Sequence, residues 1–161
     1  MGKIVVVVLV SLIMSSLAFS KGNFGDTEVK FDKVGVGIVL GDPLGIAVKL
    51  WNGKETAFDG VISLGQSRTF YVHADYLFHN YEILKSMAKD VKGGELVFYY
   101  GGGAYLSFWN TNVIGLGARL PIGVEYLSNP FDIYFELAPA FAITPAMGLG
   151  LYGGLGVRFD F

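Results

Sequence analysis

The chain has no cysteine among its 161 residues. This absence excludes disulfide bonds, thiolate nucleophiles and cysteine metal sites. Charge is scarce as well, since charged residues make up only 16% of the chain and the formal net charge is -2. The lysines and arginines are scattered rather than clustered, so the chain lacks the basic surface that nucleic acid binding requires. We expect no nucleic acid partner.

Histidine is nearly absent, with only His73 and His79. In an extended strand they would lie ~20 Å apart, too far to share a metal ion. His73 and Asp75 could form an oriented catalytic pair with Ser63 as the nearest nucleophile, but no motif supports such a site. The glycines at 101–103 lie within strand alternation rather than before a helix, so they are not a phosphate loop. We therefore expect no enzyme, no metal and no cofactor.

Apolar residues are what the chain has in abundance. Hydrophobic residues make up 52%, aromatic residues 15%, and the mean hydropathy is +0.49. This composition is more apolar and less charged than that of an ordinary soluble domain. The length fits a single domain. We expect part of the surface to contact something other than water.

The first twenty residues, MGKIVVVVLVSLIMSSLAFS, have the pattern of a secretory signal peptide. Lys3 precedes an apolar run over residues 4–14, and small residues at Ala18 and Ser20 fit cleavage before Lys21. The alternative is a transmembrane anchor, which needs ~20 apolar residues. The sequence therefore predicts a cleaved signal peptide at 1–20, a short N-terminal segment at 21–30 and a folded region at 31–161.

Beyond Lys21, apolar residues recur at every second position instead of forming long runs. In the segment from Phe131 onward, for example, Phe131, Ile133 and Phe135 alternate with Asp132 and Glu136. Such alternation is typical of strands that present one apolar and one polar face. It predicts eight strands, near residues 32–41, 45–52, 57–65, 69–82, 95–109, 112–127, 131–143 and 147–161.

Eight strands of this kind predict an all-β fold. The architecture that we expect is an eight-stranded antiparallel up-and-down transmembrane β-barrel. A closed barrel satisfies every backbone amide in lipid, and eight strands form the smallest such barrel. The alternative is a soluble barrel, which would place its apolar residues inside. The side chains on the fully apolar face of the strands are too large for a narrow interior, so this face is expected to contact lipid. Most of the 23 glycines share the polar parity, where they leave room for large inward groups.

Strand pairing across short turns brings inward charges together. Pairing Trp51 with Ala57 sets Lys49 opposite Asp59. Pairing residue 65 with residue 69 sets Asp59 opposite Asp75.

Across the turn at 128–130, pairing Tyr126 with Phe131 sets Arg119 diagonal to Glu136. Because buried charges need partners, we expect one interior network that fills the lumen, with Tyr134 nearby. Its members are Lys49, Asp59, His73, Asp75, Arg119 and Glu136.

The motif GVRFDF at 156–161 resembles the C-terminal signal that bacterial outer-membrane barrels present to the barrel-assembly machinery. The plan of residues 31–161 resembles the small barrels typified by outer membrane protein X and the transmembrane domain of outer membrane protein A. The stretches GVGIVLGDPLGIAVKLW and YVHADYLFHNY resemble an uncharacterised family of small outer-membrane proteins. The resemblance implies that Gly156, Phe159 and Phe161 form an assembly signal. The loops expected to face outward are short, unlike those of adhesive barrels.

The resemblance implies an outer-membrane location, with outer-membrane lipid and the barrel-assembly machinery as partners and a monomeric state. With a periplasmic N-terminus, the connection at 83–94 would be a solvated periplasmic loop. We expect an integral outer-membrane protein with a plugged polar lumen and a structural or envelope-interaction role. The alternatives are a narrow pore for ions or small solutes and a lipid-active enzyme that uses His73 and Asp75.

Overall fold

The computed structural model describes residues 33–64, 70–87, 93–109 and 113–161. The predicted signal peptide, the N-terminal segment and the connection at 65–69 lie outside the described residues. The described residues form nine β-strands. These are β1 Lys33–Asp42, β2 Gly45–Trp51, β3 Thr56–Leu64, β4 Phe70–Asn80, β5 Glu95–Phe108, β6 Ile114–Arg119, β7 Ile122–Ser128, β8 Phe131–Thr144 and β9 Gly148–Asp160.

All nine strands belong to one antiparallel sheet that closes into a ring. Each strand from β1 to β5 pairs with the next, β5 pairs with both β6 and β7, and both of these pair with β8. The ring closes because β9 pairs with β8 on one side and with β1 on the other. The prediction of an all-β antiparallel fold is therefore confirmed.

The predicted count of eight strands is wrong by one, because the sixth predicted strand is divided. β6 ends at Arg119 and β7 begins at Ile122, with Leu120 and Pro121 between them. Proline has no backbone N–H and cannot continue a ladder of hydrogen bonds. Leu120 N still donates to Pro139 O, and Gly101 N donates to Pro121 O, so the chain stays attached to both neighbours. The other predicted strands fall within about two residues of the observed ones.

Each strand presents one face to the interior and one to the exterior. In β8, Asp132, Tyr134 and Glu136 are buried, whereas Phe131 and Phe135 are exposed. The period of two arises because successive side chains of a strand point to opposite faces. Charged and tyrosine side chains therefore fill much of the interior, together with aliphatic side chains such as Val39, Val61 and Leu77. Most of the large aliphatic side chains and the phenylalanines cover the outside.

The registers of the first hairpins match the sequence-based pairings. Trp51 pairs with Ala57, Lys49 with Asp59, and Asp59 with Asp75. The pairing of Tyr126 with Phe131 is wrong, because Tyr126 pairs with Ile133 and Ser128 with Phe131. The turn contains only Asn129 and Pro130, and this tighter turn shifts the register by two residues.

None of the described ranges contains a helix that is long and apolar enough to cross a membrane.

Candidate functional site: the charged interior of the ring

Five neighbouring strands each place one residue in a single row across the interior. Cross-strand pairing aligns Lys49, Asp59, Asp75, Gly103 and Arg119 in that order. Gly103 has no side chain, and a Cβ there would overlap Asp75. Arg119 can therefore reach across β5, and its Nε lies 3.1 Å from Asp75 Oδ2. The missing side chain in the middle strand allows this ion pair to form.

Arg158 is the centre of the first charge cluster, which we define as Lys49, Asp59, Glu125, Asp132 and Arg158. Its Nε donates to Asp132 Oδ2 at 2.9 Å, one terminal nitrogen donates to Glu125 Oε1 at 2.9 Å, and the other donates to Asp59. The guanidinium also lies 3.9 Å from the centre of the Tyr134 ring. One arginine thus joins carboxylates from β3, β7 and β8, and its planar, rigid guanidinium suits such multiple contacts.

Lys49 is the second cation of the first cluster. Its Nζ donates to both oxygens of Glu125, with 2.6 Å to Oε2, and lies 4.0 Å from the centre of the Trp51 ring. His79 Nε2 approaches the same carboxylate at 3.2 Å, and Nδ1 donates to the carbonyl oxygen of Glu55 at 3.3 Å. Glu125 is therefore shared by two basic side chains and by the guanidinium of Arg158, and it is fully buried.

The second charge cluster, defined as His73, Asp75, Arg119 and Glu136, is built around Arg119. Besides the ion pair with Asp75, this guanidinium donates to Glu136 and to the hydroxyl of Tyr71 at 3.3 Å. Tyr99 Oη donates to Glu136 Oε2 at 3.0 Å. All four members are buried. Like the first cluster, this one ties distant strands together through a single arginine.

Asp59, His73 and Asp75 each offer a possible metal-ligand atom, and these atoms lie within 4.8 Å of one another. Arg119 contacts His73 Nδ1 at 2.7 Å, and a guanidinium can only donate. Nδ1 is therefore the acceptor, and the ring proton is on Nε2, 3.6 Å from Asp75 Oδ2. Because Nδ1 already accepts from Arg119 and Nε2 carries the ring proton, His73 in this form has no lone pair free for a metal. The trio fits a hydrogen-bonded charge cluster better than a metal site.

The structure places all six residues of the sequence-based network in the interior, but it divides them and changes their partners. Lys49 and Asp59 are directly opposite, yet Lys49 pairs with Glu125 and Asp59 with Arg158. Arg119 does reach Glu136, although the register that suggested this contact is wrong. One ring interior therefore holds two clusters, each with its own arginine.

Sequence reasoning missed three charged residues of the first cluster, namely Glu125, Asp132 and Arg158. All three occupy inward-facing positions in the alternation of their strands, and this alternation could have identified them from the sequence. Although Arg158 lies only three residues before the end of the sequence, it is only 1% exposed and contacts carboxylates of three other strands.

The residues of the predicted assembly signal lie on both faces of β9 and just beyond it. Gly156 is inward and lies against the ring of Tyr134, where a Cβ would overlap that ring. Phe159 and Phe161 are outward and exposed, and their ring centres are 5.1 Å apart. Their role in assembly stays a prediction.

The geometry around Ser63 does not favour a nucleophile. Its hydroxyl donates to the carbonyl oxygen of Leu44, and it pairs across the strands with Tyr71 rather than with His73. His73 is itself held by Arg119. A nucleophile and its base must lie within hydrogen-bond reach of each other, and these two side chains are each engaged elsewhere.

Aromatic side chains fill the interior at the end of the ring beyond the second cluster. The rings of Tyr71, Tyr105 and Tyr152 pack together with centres 5.4–5.7 Å apart. Offset and edge contacts at such separations are favourable for aromatic pairs. We name this the Tyr152 end, and the opposite end, where β1 and β5 begin, the Trp51 end.

Replacing Gly156 with alanine should destabilise the protein by about 1–3 kcal/mol, the usual cost of overpacking a filled core. The new methyl group would overlap the Tyr134 ring, which cannot withdraw easily because Arg158 lies against it. Gly150 on the same strand is the matched control, since a Cβ there would meet Tyr152 at an ordinary 3.8 Å. Urea unfolding in detergent micelles measures both variants. Equal stability of G156A and G150A would contradict the proposed crowding.

These features define a closed antiparallel β-ring with charge clusters inside and apolar side chains outside. The chain belongs to the DUF3996 family, described as a protein of unknown function, whose family model matches residues 25–161. No curated protein and no solved structure matches the chain.

Proposed function

We propose that this protein is an integral β-barrel of the bacterial outer membrane with a plugged polar interior and a structural or envelope-interaction role. The observation that carries the proposal is the distribution of polarity, with ion pairs buried inside and large apolar side chains exposed outside. Ile46, Phe135 and Leu155, on three different strands, and Leu120, between β6 and β7, are each more than half exposed. A monomeric soluble protein rarely exposes so continuous an apolar surface.

Lipid is the environment that this polarity favours. A membrane barrel needs an outward apolar band around its whole circumference and closed backbone pairing, because an unpaired amide is costly in hydrocarbon. The pairing of β9 with β1 closes the sheet, and the exposed apolar side chains provide the outward apolar surface, so both requirements are met. The signal peptide and the assembly signal at Gly156, Phe159 and Phe161, expected from the sequence, belong to the same proposal, as do the assembly machinery and the monomeric state.

A charge on the outer surface separates the lipid environment from an aqueous one. Phe135→Arg should weaken folding into liposomes by about 2–4 kcal/mol if this position lies near the bilayer midplane. Met87, in the connection after β4, is 70% exposed, and Met87→Arg is the control that should have almost no effect. The yield of folded protein, recognised by its faster migration on an unheated detergent gel, gives both results. Unchanged folding of F135R in liposomes would overturn the membrane proposal.

The filled interior supports a plug rather than a pore. Lys49, Glu125, Asp132 and Arg158 are at most 1% exposed. Because β6 and β7 share one position between β5 and β8, the ring is eight strands around, a size whose interior side chains just fill. Among the described residues, the cavity between the two clusters and the Tyr152 end has a volume of only about 10 Å³.

We expect the reconstituted protein to show no steady conductance in planar bilayers. The barrier is the layer of buried ion pairs that Arg158 makes with Asp59, Glu125 and Asp132 across the interior. Steady openings of the wild-type protein that change in Arg119→Ala or Glu136→Ala would contradict the plugged interior. They would instead support the narrow-pore alternative. The fold can be checked on the same sample by its gel migration.

A further inference from the structure

A cavity of about 400 Å³ opens at the Trp51 end of the ring. We name it the mouth cavity. This volume is within the range of small-molecule sites. Its wall is assembled from the ends of several strands, and its lining includes Lys33, Trp51, Lys54, Tyr81, Glu95 and Asp160. No part of the function proposed above uses this cavity.

The floor of the mouth cavity is held rigidly. Trp51 is buried between Lys49, whose Nζ is 4.0 Å from its ring centre, and His79, whose ring centre is 4.4 Å away. Tyr81 Oη donates to the carbonyl oxygen of Lys54 at 2.8 Å. Burial raises the pKa of Tyr81 to about 12, so its hydroxyl keeps the proton that this bond needs. The turn that carries Lys54 is thereby fixed against the connection after β4.

The charges around the mouth cavity are balanced in sign but do not pair with each other. Lys33 and Lys54 bring ammonium groups, whereas Glu95 and Asp160 bring carboxylates. Within the described part of the chain, none of these four side chains has an ion-pair partner within 4.0 Å. Lys54 instead lies over the Tyr81 ring, 5.1 Å from its centre. Separated charges of both signs can therefore bind a ligand that carries both signs.

Two unpartnered polar atoms lie in the same wall. Trp51 is only 5% exposed. Its indole Nε1 has no hydrogen-bond acceptor among the described residues. Asp160 Oδ1 likewise has no donor among them. A buried polar group without a partner is costly, so such groups are usually satisfied by a ligand or by water. Trp51 and Asp160 both line the cavity, so its wall contains one unsatisfied donor and one unsatisfied acceptor beside its charges.

We propose that the mouth cavity binds a short zwitterionic peptide. The peptide carboxylate would pair with Lys33 and Lys54. Its ammonium group would donate to Asp160 and Glu95. Leu127 and Phe131, which also line the cavity, offer apolar contact to its side chains. A ligand of one charge sign would leave half of these groups unpaired, so the balance of charges favours a dipolar ligand.

The two tryptophans of the chain provide a direct assay. Trp109→Phe leaves Trp51 as the only indole, so its fluorescence in detergent micelles reports on the mouth cavity. Titration with the dipeptide Ala-Ala should give a saturable change. N-acetyl-Ala-Ala-amide, which has the same side chains but no charges, should bind at least about tenfold more weakly, since one lost charge-assisted hydrogen bond amounts to a factor of about ten.

Variants locate the site within the same assay. Lys54→Ala and Glu95→Gln should each weaken Ala-Ala binding about tenfold, whereas Lys85→Ala should not, because Lys85 is exposed and lies outside the cavity lining. Equal binding of the capped and uncapped dipeptides, no saturable binding at all, or an equal effect of all three variants would overturn the proposal. Gel migration of each variant shows whether it is folded. Because the assay is run in micelles, its outcome is separate from that of the liposome test.

Discussion

Arg158→Met should cost about 3–5 kcal/mol of unfolding free energy, the largest loss expected from any single charge in this molecule. Arg158 is buried and joins three carboxylates, on Asp59, Glu125 and Asp132. Methionine keeps much of the length and apolar volume of the side chain. The loss would therefore come mainly from carboxylates left without their cation.

The interior has little capacity to replace that cation. Lys49, Arg119 and Arg158 are the buried lysines and arginines of the described chain, and they face five buried carboxylates. Removing one cation increases an existing excess of negative charge, and desolvated carboxylates without a partner are costly. Arg158→Lys should lose less than Arg158→Met, because it keeps the positive charge. Some loss should remain, because an ammonium group lacks the planar, forked donor geometry of the guanidinium.

Two further variants make the interpretation of Arg158 specific. Lys85→Met breaks an exposed ion pair with Glu82 and should change stability by no more than about 0.5 kcal/mol. Adding Asp59→Asn and Asp132→Asn to Arg158→Met removes two of the orphaned charges and should restore part of the loss. Urea unfolding followed by tyrosine and tryptophan fluorescence provides the comparison. An R158M loss as small as that of K85M would show that the first cluster contributes no net stability.

Much of the fold was predictable because the strand signal is local. Alternation of apolar and polar residues depends only on the geometry of a single strand, so it located the strand from Phe131 and most others to within about two residues. Short, symmetric turns then set the register of adjacent strands, which is why the pairings of Lys49 with Asp59 and of Asp59 with Asp75 are correct. The division at Pro121 could have been expected from the missing N–H of proline.

The partners inside the ring were less predictable because they do not follow strand adjacency. Arg158 on β9 reaches Asp59 on β3, and Lys49 on β2 reaches Glu125 on β7, across the whole interior. Such contacts depend on how the sheet closes and on how its strands are staggered. One contact was within reach of the sequence, since Asp132 and Arg158 are direct partners in the β8–β9 hairpin. Pairing Ala142 with Gly148 across that turn would have identified it.

The mouth cavity could not be found from sequence at all. Its lining comes from residues near positions 33, 51, 81, 95 and 160, which share no motif or spacing. Only ring closure brings the beginning of β1 and the end of β9 to the same opening. A site made of strand ends has no periodic signal, because each strand contributes only one or two residues to it.

Trp51→Ala should destabilise the protein by about 3–5 kcal/mol, the usual cost of truncating a large buried aromatic side chain. The indole packs against the ammonium of Lys49 on one side and the ring of His79 on the other, so its removal leaves a cavity next to a charged group. Trp109 is 44% exposed near the other end of the ring, and Trp109→Ala is the matched control with a clearly smaller loss. Urea unfolding gives both values.

A second readout follows from the position of Trp51 between the mouth cavity and the first cluster. In the wild-type protein Lys49 is fully buried, so an amine-reactive reagent should leave it unmodified in the folded state. In W51A the mouth cavity would extend to the Lys49 ammonium, and peptide mass mapping should then find Lys49 modified, whereas W109A should resemble the wild type. Protection of Lys49 in folded W51A would mean that other side chains separate the mouth from the charges. Side chains other than Trp51 would then isolate the first charge cluster from solvent.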